Sequence, residues 1–402
     1  MPEKQETPML TDVTIEGLRG VGRVELGFAP GQRVYTLFGV NGVGKTKCLE
    51  ALYQFLLASN KEFAQNSWKQ HGQASAVVFH SSIVMTRMSA KEETFEVPKK
   101  SADDGSFFLS HVWKPESAIW HSYPVIFLGA ARRASLGKEG RSPVGSLGKF
   151  ADRQREYFTA LEQVLQGRGD PRNLGMSGNT SEWFVKRVRA TSDRYKSKDS
   201  HEAEINAVLS MLHAVELRVD PVYLQIDDDD RVFLKVDGEE RELDELSSGF
   251  ASLLKLVQAI VAGYAAFTNE VQLQCVRGIV LIDEIDAHLH PTWQAKIIPC
   301  LKTLLPNTTF YIATHSPLVL TQLLEGEAYL LKCDNDGVVR SQMIEVPNRR
   351  LFDDVLEDTL GVDLSKLKLE SMKYDDQTEA KQGLLSLLDE LEAQEAQDEV
   401  KP

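Results

Sequence analysis

Residues 34–46, VYTLFGVNGVGKT, constrain the fold of this chain more than any other stretch. The first five residues predict a buried strand, and the next eight, Gly39 to Thr46, match the pattern G-x-x-x-x-G-K-[ST]. Glycines let backbone N–H groups converge on phosphate oxygens, and the following helix adds the positive end of its dipole. Lys45 is expected to reach the β- and γ-phosphates of a nucleotide, and the Thr46 hydroxyl to bind Mg²⁺. The residues predicted to contact the nucleotide here are Gly39, Asn41, Gly42, Val43, Gly44, Lys45, Thr46 and Lys47.

Two further apolar runs end in polar side chains that suit the same site. Residues 278–282 lead into Asp283 and Glu284, and residues 310–314 lead into His315. Apolar runs of this length are typical of buried parallel strands, whose carboxyl ends meet at one edge of the sheet. Asp283 is therefore predicted to hold Mg²⁺, directly or through water, and Glu284 to polarise the attacking water.

A Leu-Ser-Ser-Gly stretch lies between the phosphate loop and the Asp-Glu pair. By itself it predicts the N-cap of the helix that the apolar pattern after it indicates. In this order it resembles the signature motif of ABC-type ATPases, LSGGQ and its relatives, and residues 285–291, IDAHLHP, resemble their D-loop. The resemblance implies that Ser247, Ser248 and Gly249 close over ATP bound by a second copy of the chain. It also gives His315 the place of the switch histidine at the γ-phosphate, with a core histidine as the alternative.

The details are most similar to the RecF/OLD-like (AAA_21) branch of that class, and within it to Septu-type anti-phage defence ATPases. The opening IEGLRGVGRVELGF resembles the first hairpin of that branch and puts Arg19 at the position of a basic residue near the nucleotide. IDEIDAHLHPTWQ and ATHSPLVL resemble the OLD and Septu group. The resemblance covers residues 10–60 and 220–330. VIFLGAARR supplies no Q-loop glutamine, which leaves the usual second magnesium ligand open, and Phe250 replaces the signature glutamine.

These features predict an α/β fold, a P-loop NTPase of ABC/SMC-head type with an N-terminal antiparallel β subdomain and a helical insertion. Residues 9–28 alternate apolar and polar side chains, as half-buried antiparallel strands do. The chain lacks the long heptad arm of an SMC protein. The predicted divisions are the N-terminal half of the ATPase domain (1–131), a basic helical insertion (132–218), the C-terminal half (219–345) and an acidic helical segment (346–402).

Charge is unevenly distributed along the chain. The net charge of −14 argues against a protein that coats nucleic acid over its whole surface. Residues 132–198 nevertheless hold fifteen Lys and Arg against seven Asp and Glu, a local balance of +8. Such a segment is usually a solvated helical face, and DNA contact is the alternative. The acidic run Asp227–Asp230 is predicted to be a solvated hairpin tip, because it lacks the glycine and terminal glutamate of a calcium loop.

The sequence gives little support to a zinc, disulfide or membrane protein. Its four cysteines have no C-x-x-C spacing and are expected to be reduced thiols. His288 and His290 form an H-x-H pair, which is a weak metal signal on spacing alone. No apolar run approaches about 18 residues, and the N-terminus lacks the apolar core of a signal peptide. A cytoplasmic protein without a membrane partner is expected.

The resemblance implies hydrolysis of ATP with Mg²⁺ in a homodimer that sandwiches two ATP molecules, with a higher oligomer open. The first hypothesis is the sensor or regulatory subunit of a bacterial anti-phage defence complex, with a separate effector, such as a nuclease, from the same operon. The alternative is a RecF-like DNA-repair ATPase that contacts DNA through residues 132–198. A transporter subunit fits least. Near the C-terminus, four leucines recur at helical spacing: Leu384, Leu387, Leu388 and Leu391. They predict a helix that packs on the protein itself or docks a partner.

Overall fold

The computed structural model describes residues 10–71, 78–79, 87–90, 93–96, 107–108, 120–134, 136, 147–164, 170–176, 178–192, 198–270, 272–349 and 366. The elements below lie in the compact unit of residues 1–350. The strands are β1 (Asp12–Leu18), β2 (Gly22–Gly27), β3 (Val34–Phe38), β4 (Val78–Phe79), β5 (Arg87–Ala90), β6 (Glu93–Glu96), β7 (Phe107–Phe108), β8 (Val125–Leu128), β9 (Val219–Ile226), β10 (Val232–Val236), β11 (Glu239–Glu242), β12 (Gly278–Ile282), β13 (Thr308–Ala313), β14 (Ala328–Cys333) and β15 (Val338–Met343). The helices are α1 (Lys45–Ala58), α2 (Lys61–His71), α3 (Phe150–Gln163), α4 (Thr180–Ser192), α5 (Lys198–Val215), α6 (Ser248–Phe267), α7 (Pro291–Gln294), α8 (Ile297–Leu304) and α9 (Pro317–Leu320). Single 3-10 turns occur at Pro171–Asn173, Leu243–Glu245, Leu273–Cys275 and Pro347–Arg349.

A ten-stranded sheet in the order β6-β5-β1-β2-β15-β14-β3-β13-β12-β8 forms the centre of this unit. The five strands from β14 to β8 are parallel to one another. Strands β1, β2, β5 and β6 pair in antiparallel fashion, and β15 joins the two regions, antiparallel to β14 and parallel to β2. Since parallel strands end at the same edge, the loops after β3, β8, β12 and β13 converge there.

The burial of each strand follows from its residue pattern. Every residue of β3, β8 and β12 is buried, because the sheet is covered on both faces where these apolar strands run. Strand β1 instead alternates between buried and more exposed positions. Helix α6 is long and apolar enough to span a bilayer, but 94% of its apolar window is buried inside the protein. Helix α6 is therefore a core helix of this unit.

The predicted fold class is confirmed, with the antiparallel N-terminal strands and a helical insertion in place. The predicted hairpin around the acidic run is also confirmed: β9 and β10 pair in antiparallel register, and Asp230 turns with a φ of 62°. Of the segment predicted at 346–402, everything after residue 349 except Lys366 lies outside the described residues, and so do its four leucines. The division into four segments stays a prediction.

Candidate nucleotide-binding site

The phosphate loop connects β3 to α1 and depends on two glycines. Gly39 and Gly44 have φ angles of 149° and 108°, which side-chain-bearing residues rarely adopt. A Cβ atom at Gly39 would lie 2.9 Å from the Leu331 carbonyl oxygen, and one at Gly44 would lie 2.8 Å from Cγ2 of Val21. The loop is thus packed between β14 and the turn that joins β1 to β2. At the start of α1, its backbone N–H groups have no intrahelical partner.

Lys45 is folded back into this loop. Its side chain is only 5% exposed, and Nζ donates hydrogen bonds to the carbonyl oxygens of Gly39 (2.7 Å) and Val40 (2.9 Å). Burial lowers the pKa of Lys45 to about 8, although the nearby carboxylates of Asp283 and Glu284 oppose this effect. An ammonium group is therefore held at the centre of the loop, where a phosphate would satisfy it.

Thr46 and Asp283 meet although they come from opposite halves of the chain. The Thr46 hydroxyl lies 2.9 Å and 3.1 Å from the two carboxylate oxygens of Asp283, at the end of β12. Asp283 is 2% exposed, and burial is the main reason why its pKa is raised to about 6. A hydroxyl and a poorly solvated carboxylate are the hard oxygen ligands that Mg²⁺ prefers, so this pair fits the ion. Once bound there, Mg²⁺ would neutralise charge on the β- and γ-phosphates.

The residues after Asp283 form a bent, tightly bonded segment. Glu284 has a φ of 45° and His288 a φ of 63°, both in the left-handed region. Asp286 accepts hydrogen bonds from the Thr314 hydroxyl and from the His315 backbone N–H, the latter at 3.3 Å. The segment predicted as a D-loop is therefore bonded to the end of β13.

His315 lies at the same edge of the sheet. Burial, followed by the charge of Lys45, lowers the pKa of its imidazole, which also hydrogen-bonds to the Gly39 backbone. The ring is consequently neutral near pH 7 and joins the end of β13 to the phosphate loop. Its predicted contact with a γ-phosphate remains a prediction.

The predicted signature serines lie on the surface. Ser247 is the N-cap of α6, and its hydroxyl accepts a hydrogen bond from the Phe250 N–H at 3.3 Å, as the local pattern predicted. Both Ser247 and Ser248 are exposed. A Cβ atom at Gly249 would lie 2.9 Å from the His288 carbonyl oxygen, so the start of α6 packs closely against the D-loop segment.

The remaining predicted contacts occupy less central places. Arg19 is exposed in the β1–β2 turn, the turn whose Val21 packs on Gly44. Lys47 lies 2.6 Å from Glu50 in an ion pair, which directs its ammonium group toward that carboxylate. Asn41, Gly42 and Val43 form the tip of the phosphate loop. His290 caps α7 by accepting a hydrogen bond from the Thr292 N–H. The described residues contain no group of three or more His, Cys, Asp or Glu side chains that could hold a metal ion.

Comparison with known protein families identifies part of the chain. Residues 193–321 match the model of AAA_21, described as "AAA domain, putative AbiEii toxin, Type IV TA system". The chain carries an AAA_21 domain. The matched range includes the signature, Asp283, Glu284 and His315, and the phosphate loop precedes it. The AAA_21 match and the phosphate loop together agree with the predicted P-loop NTPase fold.

Two of the similar proteins match more of the chain than the AAA_21 domain does. Septu protein PtuA of Bacillus thuringiensis is 24% identical over 88% of this chain and 85% of its own length. Septu protein PtuA of Bacillus mycoides (strain KBAB4) is 34% identical over 73% of this chain, which spans only 36% of that relative. The Retron Vc95 probable ATPase of Vibrio cholerae is 43% identical over 95 residues, 23% of this chain and 18% of its own.

Solved structures similar to the chain include SMC head domains. The Smc head with an extended coiled coil bound to the C-terminal domain of ScpA, from Pyrococcus furiosus, is 14% identical, with a TM-score of 0.43 over 89% of this chain and 99% of that one. The SMC head domain from Thermotoga maritima is 14% identical, with a TM-score of 0.38 over 84% and 99%.

Sequence reasoning missed two side chains that connect the motifs. Within the AAA_21 domain, Gln294 donates to the carbonyl oxygens of Asp286 (3.4 Å) and Leu289 (2.9 Å) and accepts from the Ser316 hydroxyl at 2.6 Å. The other is Arg133, which lies before that domain and binds the backbone after β12. HPTWQ and GAARR contain these residues, but nothing local in either stretch indicates the distant partner.

Proposed function

We propose that this chain binds ATP with Mg²⁺ and hydrolyses it. The observation that carries the proposal is the contact of the Thr46 hydroxyl with both carboxylate oxygens of Asp283, beside the buried Lys45 ammonium. This arrangement would supply a cation and a pair of magnesium ligands at the carboxyl edge of one parallel sheet. Glu284, the next residue, would orient and polarise the attacking water.

We further propose that two copies enclose two ATP molecules. Ser247 and Ser248 are exposed at the N-terminus of α6, which is the favourable end of a helix for an anion. Each site would then take Lys45 and Asp283 from one copy and these serines from the other. Because the γ-phosphate would bridge both copies, ATP favours the closed dimer, and hydrolysis removes that bridge.

Phosphate release and solution mass, measured together, test this proposal. The parental protein is expected to release phosphate from ATP only with Mg²⁺ and to double its mass when Glu284→Gln is combined with ATP. Ser248→Glu is the informative partner variant, because a carboxylate suits a helix N-terminus but repels a phosphate from the second copy. It should fold and bind ATP yet remain monomeric. Parental protein without Mg²⁺-dependent turnover would refute hydrolysis, and dimers of Ser248→Glu would refute the sandwich.

In the cell, we propose a regulatory subunit of a bacterial anti-phage defence complex with a separate effector. Support comes from the relatives, two of which are Septu proteins and one a retron ATPase. Affinity purification of the tagged protein at its native level, with the complex mass determined, provides the test. A stoichiometric nuclease-like partner is expected. Recovery of DNA alone, with no protein partner, would contradict the proposal and favour DNA repair.

The three cations of α4, which lies in the basic insertion, give no specific support to DNA binding. Lys186, Arg187 and Arg189 lie within 2.6 Å of carboxylates of Glu182, Glu204 and Asp230, respectively. Such pairs reduce the positive charge that the sequence balance indicates. Helix α4 therefore fits a solvated or internally paired surface better than a phosphate-binding face.

A further inference from the structure

Arg133 connects the ends of two neighbouring strands through backbone carbonyl groups. It follows the edge strand β8, and its side chain is 1% exposed. Its Nε donates to the Gly129 carbonyl oxygen at 3.0 Å, and Nη2 donates to that of Leu128 at 3.3 Å. On the β12 side, Nη1 donates to the Glu284 carbonyl oxygen at 2.6 Å, and Nη2 also donates to that of Asp283. One guanidinium group therefore binds four carbonyl oxygens.

The two carbonyl groups that Arg133 contacts after β12 lie on either side of one strained backbone rotation, the φ angle of Glu284. Glu284 has a φ of 45°, which is uncommon for a residue with a side chain and costs free energy unless its surroundings enforce it. The Asp283 carbonyl precedes that φ rotation and the Glu284 carbonyl follows it. By binding both oxygens, Arg133 restricts the peptide groups that determine where the Glu284 side chain projects.

Only arginine can supply this set of donors from one side chain. The guanidinium group is planar and carries five N–H donors in a fixed fork, whereas lysine carries three donors on one rotating nitrogen. Burial lowers the pKa of Arg133 to about 10, and the carboxylates of Asp283, Asp286 and Glu284 counteract that effect. The group is thus charged at neutral pH and also offsets part of the negative charge concentrated at this edge.

We propose that Arg133 is a positioning residue for ATP hydrolysis: it holds Glu284 in the backbone conformation that directs its carboxylate at the attacking water. The inference rests on the proposed hydrolysis of ATP. Arg133 is buried and its guanidinium donates to backbone oxygens, so it acts through Glu284 rather than on the nucleotide. Misplacing a catalytic group by about 1 Å can lower a rate on the order of 100-fold, which sets the scale of the expected effect.

The test compares Arg133→Lys and Arg133→Gln with Arg187→Lys in the full-length chain. Arg187 is a matched control, because it is also buried (5% exposed) but pairs with Glu204 at 2.5 Å in the insertion. For each protein, one measures kcat per folded molecule, the Kd for ATP with Mg²⁺, the thermal midpoint and the solution mass with ATP. Arg187→Lys should lower the thermal midpoint and leave kcat unchanged.

Arg133→Lys should lower kcat by about tenfold or more, change the Kd for ATP by less than about threefold, and accumulate the ATP-bound dimer as Glu284→Gln does. A merely structural arginine would not produce that accumulation. Parental kcat in both Arg133 variants, or a loss of turnover that follows weakened ATP binding, would overturn the proposal. If neither variant folds while Arg187→Lys does, the guanidinium serves the fold, which also overturns it. Absence of turnover in the parental protein would instead refute the proposed function itself.

Discussion

Replacement of Asp283 by asparagine is expected to stabilise the nucleotide-free protein while it abolishes Mg²⁺-dependent turnover. The carboxylate is buried, and the described structure provides the Thr46 hydroxyl as its hydrogen-bond partner. Asparagine keeps the shape and can still accept the Thr46 hydrogen bond, but it brings no charge into the site. The site would lose its proposed magnesium ligand, and the protein would gain folding stability.

The magnitude follows from the pKa of this carboxyl group. Burial raises this pKa from an ordinary value of 3.8 to about 6. Each pKa unit corresponds to about 1.4 kcal/mol, so the buried charge lowers the free energy of unfolding by about 3 kcal/mol near pH 7.5. Protonated Asp283 stabilises the folded state relative to the charged form. This stabilisation is complete below pH 3.8, decreases as the pH rises, and is lost above about pH 6. At pH 4.5 the advantage of asparagine should therefore shrink to about 1 kcal/mol.

Urea unfolding of the nucleotide-free protein at pH 7.5 and pH 4.5, without Mg²⁺, measures both values. Glu327→Gln is the matched control, because Glu327 is as buried but lies 2.6 Å from the Lys302 ammonium and accepts the Leu324 N–H at 2.8 Å. That variant should lose roughly 1.5–3 kcal/mol at pH 7.5, since it breaks a charge-assisted hydrogen bond. An Asp283→Asn protein that is no more stable than the parent at pH 7.5, or equally stabilised at both pH values, would refute the reasoning.

Three other substitutions, and a control for the last of them, test separate parts of the site. Lys45→Ala removes the ammonium group from the loop and should weaken ATP binding roughly 10- to 100-fold in a nucleotide titration, whereas an unchanged Kd would contradict its role. Glu284→Gln should retain ATP affinity but lower phosphate release by roughly 100-fold or more and leave a persistent dimer; parental turnover would show that the assigned base is wrong. Gly44→Ala should destabilise the protein by roughly 1–3 kcal/mol in urea unfolding, because its Cβ meets Val21 at 2.8 Å. Gly42→Ala, whose Cβ meets no atom within 4 Å, should cost less, and equal losses would contradict the packing argument.

Local sequence patterns were sufficient to predict the elements that carry the site. The largely apolar runs at β3, β12 and β13 predicted buried strands, because a strand covered on both faces has no polar side to present. Ser247 was predicted as an N-cap and caps α6. The meeting of the phosphate loop after β3 with Asp283 after β12 followed from the same reasoning, since the carboxyl ends of parallel strands share an edge.

The order of the strands could not be obtained in that way. Strand β3 lies between β13 and β14, and the Thr46–Asp283 hydrogen bond joins residues 237 positions apart. Nor does the turn before β2 indicate that Val21 fills the space beside Gly44. These contacts depend on which apolar faces meet when the chain condenses, and no local propensity records that choice.

Arg132 and Arg133 show most directly what a local sequence pattern cannot predict. In the sequence they are identical neighbours after an apolar strand; in the structure Arg132 is exposed, whereas Arg133 is buried against a backbone 151 residues away. The sequence by itself determined the phosphate loop, the buried strands and the acidic pair, because each depends on residues close together in the chain. The tertiary structure decided the strand order, the strained conformation of Glu284 and the arginine that binds it, because these depend on groups that only the packed sheet brings into contact.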